Sequence, residues 1–266
     1  MTNNSTTYSA STADNIFCTV YPTRSTCNTF TTYDEFLDSI DKVKEKTVID
    51  SAETIKLLRK PGIFAVERPV TQANISLNQP FLKRPHPDYY PAALASFILG
   101  GGGFSSRLTT RIRSDEGLAY SIYSSVGNSY FDTTLTTIAL QTKAEQAPYA
   151  IRLIQEEIQK LATEGPTEQE LLLAKKTLIE SLPSLFATPE DIVVNFAEDE
   201  FTGKKTDHYL EYVREIEAVT AEQIKAMIAK YFDFTKMTIS IVGPSDSWKG
   251  LENVVILPLD SLEIRP

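Results

Sequence analysis

From Gly62 onward the hydrophobic pattern changes period in a fixed order, and that order limits the fold more than any other feature of the chain. "GIFAVE" and "QANISL" read as strands, and "DYYPAALASFIL" reads as a helix whose apolar side is Tyr90, Ala93, Leu94, Phe97 and Ile98. After four glycines a second short helix carries "SSRLTTRIRSDE", and Gly117 suits its C-terminus because glycine takes the left-handed conformation cheaply. "LAYSIYSSVG" and "YFDTTLTTIAL" are two more strands, joined as a hairpin by a short turn at Gly127-Asn128-Ser129. Four helices follow, over about 146–163, 167–184, 189–201 and 206–232, the last broken near Val219-Thr220. Thr167 with Glu170 and Thr220 with Gln223 form capping boxes, and Thr188 caps a helix with Pro189 in its first turn. "KMTISIVG" is a closing strand and "NVVILPL" a further one. The sum is an α+β fold, a mostly antiparallel but mixed sheet with helices packed on one face, rather than an alternating parallel fold.

Three segments are expected. Residues 1–34 are crowded with Ser, Thr and Asn and read as extended or loosely ordered chain; residues 35–60 hold an amphipathic helix, with Phe36, Leu37, Ile40 and Val43 on one face, and a linker; residues 61–266 form the main domain. Apolar residues make up 42% of the 266, enough to bury a core. A net charge of −9, with Lys83-Arg84 and Arg107/Arg111/Arg113 as the only notable basic clusters, argues against nucleic acid as the main partner. Cys18 and Cys27 allow one bridge and no disulfide framework. No window reaches the ~18 continuous apolar residues of a membrane span, and no basic flank precedes an apolar block at the N-terminus. The chain therefore reads as soluble, without a visible signal peptide.

Few residues offer chemistry. The glycine run, Gly100 to Gly103, follows a helix and lacks the Gly-Lys-Ser/Thr of a phosphate loop, so it reads as a tight turn between helices. There are two histidines, His86 and His208. "HYLEY" looks like H-x-x-E-H with the last ligand replaced by Tyr212, and the loss of that ligand leaves an exposed His and Glu211 rather than a zinc site; no metal is assigned. No Gly-x-Ser-x-Gly occurs, and Glu198, Asp199 and Glu200 read as a solvated patch. Arg113 and Tyr120 remain. Seven residues apart across a helix-to-strand corner, both are donors able to stabilise a developing carbonyl oxyanion. On spacing alone, an arginine in an ion pair and a tyrosine in the core is the simpler reading.

"ILGGGGFSSRL…RSDEGLAYSIYSS" closely resembles the second-half signature of the inverted-motif zinc peptidases: pitrilysin, insulysin and the mitochondrial processing peptidase. The likeness runs from about Gly62 to Pro244 and takes in "ERPVTQANISL", "HPDYYPAALASFILGGG" and "YLEYVREIEAVTAEQIKAMIAKYF…MTISIVGP". The resemblance implies one half of a metallopeptidase in which two α+β halves close around a chamber. One half carries H-x-x-E-H and binds zinc; the other supplies an Arg/Tyr pair, matched here by Arg113 and Tyr120, that binds substrate backbone and stabilises the tetrahedral intermediate. In the family's non-catalytic subunits a glycine-rich segment is associated with substrate handling, which places Gly101 and Gly102 beside that pair as substrate-binding candidates. No H-x-x-E-H exists in this chain. The resemblance thus implies no cofactor bound here, zinc in a partner half or subunit, an extended peptide as substrate, and no hydrolysis by this chain alone. The alternative is a catalytically inactive assembly subunit similar to the core proteins of the respiratory cytochrome complex.

Overall fold

The computed structural model describes residues 7–11, 16–21, 24–29, 60–205 and 207–258. The chain divides into two compact units, residues 1–54 and 55–266. In the first, β1 (Thr7–Ser11), β2 (Ile16–Tyr21) and β3 (Arg24–Thr29) form an antiparallel three-stranded sheet in chain order, and its register sets Cys18 opposite Cys27. Thr, Ile, Phe, Val and Tyr supply the strand-forming residues of this polar stretch. The amphipathic helix expected over residues 35–60 falls, up to residue 59, outside the described residues.

The second unit is built on a six-stranded mixed sheet. Its strands are β4 (Gly62–Glu67), β5 (Gln72–Phe81), β6 (Ala119–Val126), β7 (Thr134–Lys143), β8 (Thr238–Gly243) and β9 (Val254–Ile256), in the order β6-β7-β5-β8-β4-β9. β6, β7, β5 and β8 pair antiparallel; β4 runs parallel to both β8 and β9. Alternation within the strands decides which face is covered. Ile75, Leu77, Ile138, Leu140, Ile239 and Ile241 point into the core, while Asn74, Ser76, Thr137, Gln141 and Ser240 lie on the opposite face.

Helices cover the apolar face: α1 (Tyr89–Ser96), α2 (Ala147–Glu164), α3 (Glu168–Glu180), α4 (Pro189–Phe201), α5 (His208–Ala218) and α6 (Ala221–Tyr231). α1 and α2 both pack on α6, and Leu94, Leu153, Ile154, Ile224 and Ile228 are fully or almost fully buried there. All three expected caps form, each Thr accepting from the backbone N–H three residues on. Three details differ from the sequence reading. α1 buries Ala92, Leu94 and Ala95 rather than the stripe through Tyr90 and Ala93, because the segment is apolar on nearly every side. The helix after Thr167 stops at Glu180, and residues 182–186 tighten into a 3-10 turn around Pro183, which has no N–H to donate. β7 begins only at Thr134, so the β6–β7 connection is longer than the Gly127-Asn128-Ser129 turn; Ser129 Oγ accepts from the N–H groups of Phe131 and Asp132 within it.

Candidate functional site

After α1 the backbone widens into a π-helical turn, Phe97–Gly101, and the missing side chains of the glycines account for its seat. A Cβ on Gly100 would stand 2.7 Å from the Ser124 nitrogen, and one on Gly101 would stand 3.2 Å from the Ser124 oxygen. These glycines press the bend against the backbone of β6, and the buried Ser96 and Ser124 hydroxyls join across the contact at 2.9 Å. Gly102 closes the bend by donating its N–H to Phe97 O, and Gly103 takes φ +57°, starting a 3-10 turn to Ser105. The run is thus the tight turn expected from its composition.

A second wide helical segment, Thr109–Asp115, carries Arg113 in its last turn. Ile112 on it is fully buried, and Gly117 ends it at φ +63°. Leu118 fastens the corner on both sides: its N–H donates to Ile112 O at 2.9 Å, and its carbonyl accepts from the Thr142 hydroxyl at 2.6 Å. β6 then starts with a bulge. Ala119 pairs with Thr142 and Ser121 with Gln141, leaving Tyr120 without a cross-strand partner. Strict alternation would send Tyr120 inward with Ile122 and Ser124; the extra residue turns it out, and Tyr120 is 83% exposed.

Arg113 and Tyr120 are brought together. The guanidinium carbon stands 5.3 Å from the Tyr120 ring centre and 4.6 Å from that of Phe104, which is 71% exposed at the tip of the glycine turn. Neither Arg113 nor the Tyr120 hydroxyl makes a side-chain hydrogen bond or ion pair with the described residues. The corner therefore presents guanidinium N–H groups and a phenol O–H with their donor capacity unspent. Beside it, on the sheet face opposite these helices, lies a groove of about 450 Å³, lined by Asn74, Ser76, Ser121, Tyr123, Gln141 and Ser240. Phe104 was missed in the sequence; its one signal was a large apolar residue inside a Gly/Ser turn.

Arg107, Glu170 and Arg84 are occupied. Arg107 donates to both oxygens of Glu170, at 2.6 and 2.8 Å, and to Gly165 O at 3.0 Å. Glu170 also accepts from the Thr167 N–H, so one carboxylate both caps α3 and anchors the Arg107 turn. Burial works to raise the pKa of Glu170, but the bonds from Arg107 and Thr167 outweigh it and hold the carboxyl below its usual range. Arg84 stacks on Tyr89 at 3.9 Å and donates to Asn128 and to the Tyr90 hydroxyl.

The degenerate zinc motif on α5 has no metal-like geometry. His208 Nδ1 lies 2.8 Å from Lys205 O, and Tyr212 stacks edge-on to Tyr90, its phenol pushed up to about 12 by burial and by neighbouring tyrosines. His86 and His208 line the same cavity of about 720 Å³, but among the described residues no group of three or more His, Cys, Asp or Glu could hold a metal ion. Asp199 is not part of a solvated patch. It is buried and accepts from Lys204 Nζ and the Tyr209 hydroxyl, both at 2.8 Å, which ties the end of α4 to α5. Among the described residues no helix is long and apolar enough to cross a membrane.

Residues 10–178 match the sequence family described as the peptidase M16 inactive domain. The chain is 32% identical over 194 residues to an uncharacterized zinc protease, YmxG, of Bacillus subtilis, a match covering 72% of this chain and 44% of that protein. It is 28% identical over 173 residues to a non-peptidase homolog, YmxG, of Helicobacter pylori, covering 64% of this chain and 39% of that one. The chain thus spans less than half the length of these curated relatives. The crystal structure of a peptidase M16 inactive domain from Pseudomonas fluorescens superposes with a TM-score of 0.64 at 31% identity, over 73% of this chain and 46% of that one. A protease structure from Helicobacter pylori shares the fold at a TM-score of 0.65 and 17% identity, over 83% and 54% of the two chains.

Proposed function

The chain belongs to the peptidase M16 inactive-domain family, and from that membership we propose that it is the Arg/Tyr-bearing, non-zinc half of a two-part metalloendopeptidase. The observation that carries this reading is the corner itself: Arg113 and Tyr120, held together by a glycine-stopped helix and a bulged strand, with every side-chain donor unpaired among the described residues. Among the described residues no cluster fits a zinc site and the sequence holds no H-x-x-E-H, so in this reading zinc and its general base belong to an H-x-x-E-H partner half. This chain's share is to hold an extended peptide and to donate hydrogen bonds from the Arg113 guanidinium and the Tyr120 hydroxyl to a substrate carbonyl. Those donors are placed before the reaction, and their bonds strengthen as charge develops on the oxygen. Gly101, set against β6, and Gly102, set against the Phe97 ring, enter the reading as backbone without side chains past which a peptide can lie.

The test is reconstitution. Adding an H-x-x-E-H half should yield chelator-sensitive cleavage of extended peptides, and Arg113→Ala or Tyr120→Phe should lower turnover while leaving the melting temperature of the chain nearly unchanged. Full activity in both variants would sink the assignment. A second reading is favoured by the relative described as a non-peptidase homolog: an assembly subunit that keeps the fold without proteolysis. A stable complex with an M16 partner and no cleavage of any peptide would select it.

A further inference from the structure

We infer that Phe104 is a specificity-determining residue of this corner, giving it a preference for extended peptides with a bulky apolar side chain next to the bound carbonyl; this deepens, and rests on, the peptide-binding reading of Arg113 and Tyr120. Phe104 is 71% exposed, and the backbone on both sides of it is tied down. Ser105 Oγ donates to Gly102 O at 2.8 Å, Ser106 Oγ donates to Gly103 O at 2.7 Å, and the buried Ser106 also bonds Thr109 Oγ1 at 3.0 Å. Gly103 reaches its positive φ with open space around it, so the turn that lifts the ring relieves no crowding there. The ring is thus held in water by a built turn, at a cost in unburied apolar surface.

Its place fixes what it can touch. The Arg113 guanidinium stands 4.6 Å from the Phe104 ring centre. In an extended peptide, residues rise by about 3.3 Å and side chains alternate from face to face. A peptide whose carbonyl oxygen meets the Arg113 N–H groups therefore carries one flanking side chain within reach of the ring. An aromatic or branched aliphatic group there covers the exposed face of Phe104, whereas alanine leaves it wet and aspartate loses hydration without gaining a partner. Contact with both rings also limits the orientations of the guanidinium, so occupancy of the ring and placement of the donors are coupled.

The experiment titrates the full chain with fluorescently labelled Gly/Ser peptides carrying one variable residue, Phe, Leu, Ala or Asp, read by anisotropy. Phe and Leu peptides should bind about tenfold more tightly than the Ala peptide. Phe104→Ala should bring that ratio to within about twofold, Phe104→Leu should keep most of it, and Arg113→Ala should weaken all four peptides together. In the reconstituted enzyme the same order should appear in kcat/KM. A ratio that survives Phe104→Ala, equal binding of all four peptides, or no binding up to millimolar peptide overturns the inference. So does a Phe104→Ala variant that keeps the ratio but loses association with the zinc-bearing half, which would make the ring an interface residue. Selection without hydrolysis would sink the two-part protease and leave Phe104 its role; hydrolysis without selection would do the reverse.

Discussion

Arg107 and Arg113 lie six residues apart between the glycine turn and β6, yet their surroundings treat them in opposite ways. Arg107 is nearly buried, grips both oxygens of Glu170 and reaches Gly165 O. Arg113 has two exposed rings for company and no carboxylate. An arginine matched to a carboxylate by a bidentate fork is a rivet, its donors turned inward; even the Nη1 of Arg107, which has no hydrogen-bond partner among the described residues, is buried away from water. One left with only π faces keeps its N–H edges for something outside the molecule. The guanidinium chemistry is the same in both; the difference comes from whether the fold supplies an anion.

The comparison can be broken in several ways, the largest through activity. With a zinc-bearing half present, Arg113→Ala should lower kcat/KM by about 10²- to 10³-fold, as loss of a preorganised oxyanion donor does elsewhere. The same change should cost the chain's own stability no more than about 1 kcal/mol, the worth of exposed cation–π contacts, as read from chemical denaturation. Gly100→Ala should come next: its Cβ would meet the Ser124 nitrogen at 2.7 Å and lift the bend off β6, for a loss of about 1–3 kcal/mol in unfolding free energy, read from chemical denaturation. Both arginines should suffer from that displacement, so activity should fall together with stability.

Arg107→Ala should behave as the converse of Arg113→Ala. Stability should drop by about 1–2 kcal/mol, because a half-buried Glu170 keeps only its Thr167 bonds, while activity per folded molecule holds. Equal loss of turnover in both arginine variants would erase the distinction. The smallest effect is one of pH. The carboxyl of Glu170 has its pKa lowered in the folded state, so its stabilisation is complete at neutral pH and fades as pH falls below about 5 through that lowered value. Melting curves across the acid range should therefore be flatter for Arg107→Ala than for the parent chain.

Much of this was legible in the sequence. Capping boxes name their own partners three residues away, and Thr167 and Thr220 behaved accordingly, while Thr188 caps its helix as expected and adds Asp191 as a box partner. The α+β class and the resemblance to the inverted-motif peptidases are both borne out, the second by a family match over residues 10–178. What escaped depended on partners far along the chain. Nothing near Arg107 announces Glu170, and nothing near Asp199 separates it from Glu198 and Glu200, yet Asp199 alone turns inward to Lys204 and Tyr209. The bulge at Tyr120 was equally hidden, since the sequence "GLAYSIYSS" alternates as well with Tyr120 inside as outside; pairing with Thr142 and Gln141 decides. Phe104 was passed over because an aromatic after glycines is ordinary until its ring is found unburied beside Arg113.

The parallel placement of β4 bears on how such a chain is made. Ile63 emerges from a ribosome long before its neighbours, which are Ile239 on one side and Val254 on the other. The β5–β7–β6 ladder, with the Arg113–Tyr120 corner at its margin, has all its strands by Lys143 and can zip as synthesis proceeds. The other edge of β5 and both edges of β4 wait until β8 and β9 have been made. A stall or truncation before β8 would therefore release a nascent chain with its Arg113–Tyr120 corner assembled and an open row of strand amides along β5, a species for chaperones to guard rather than a finished domain.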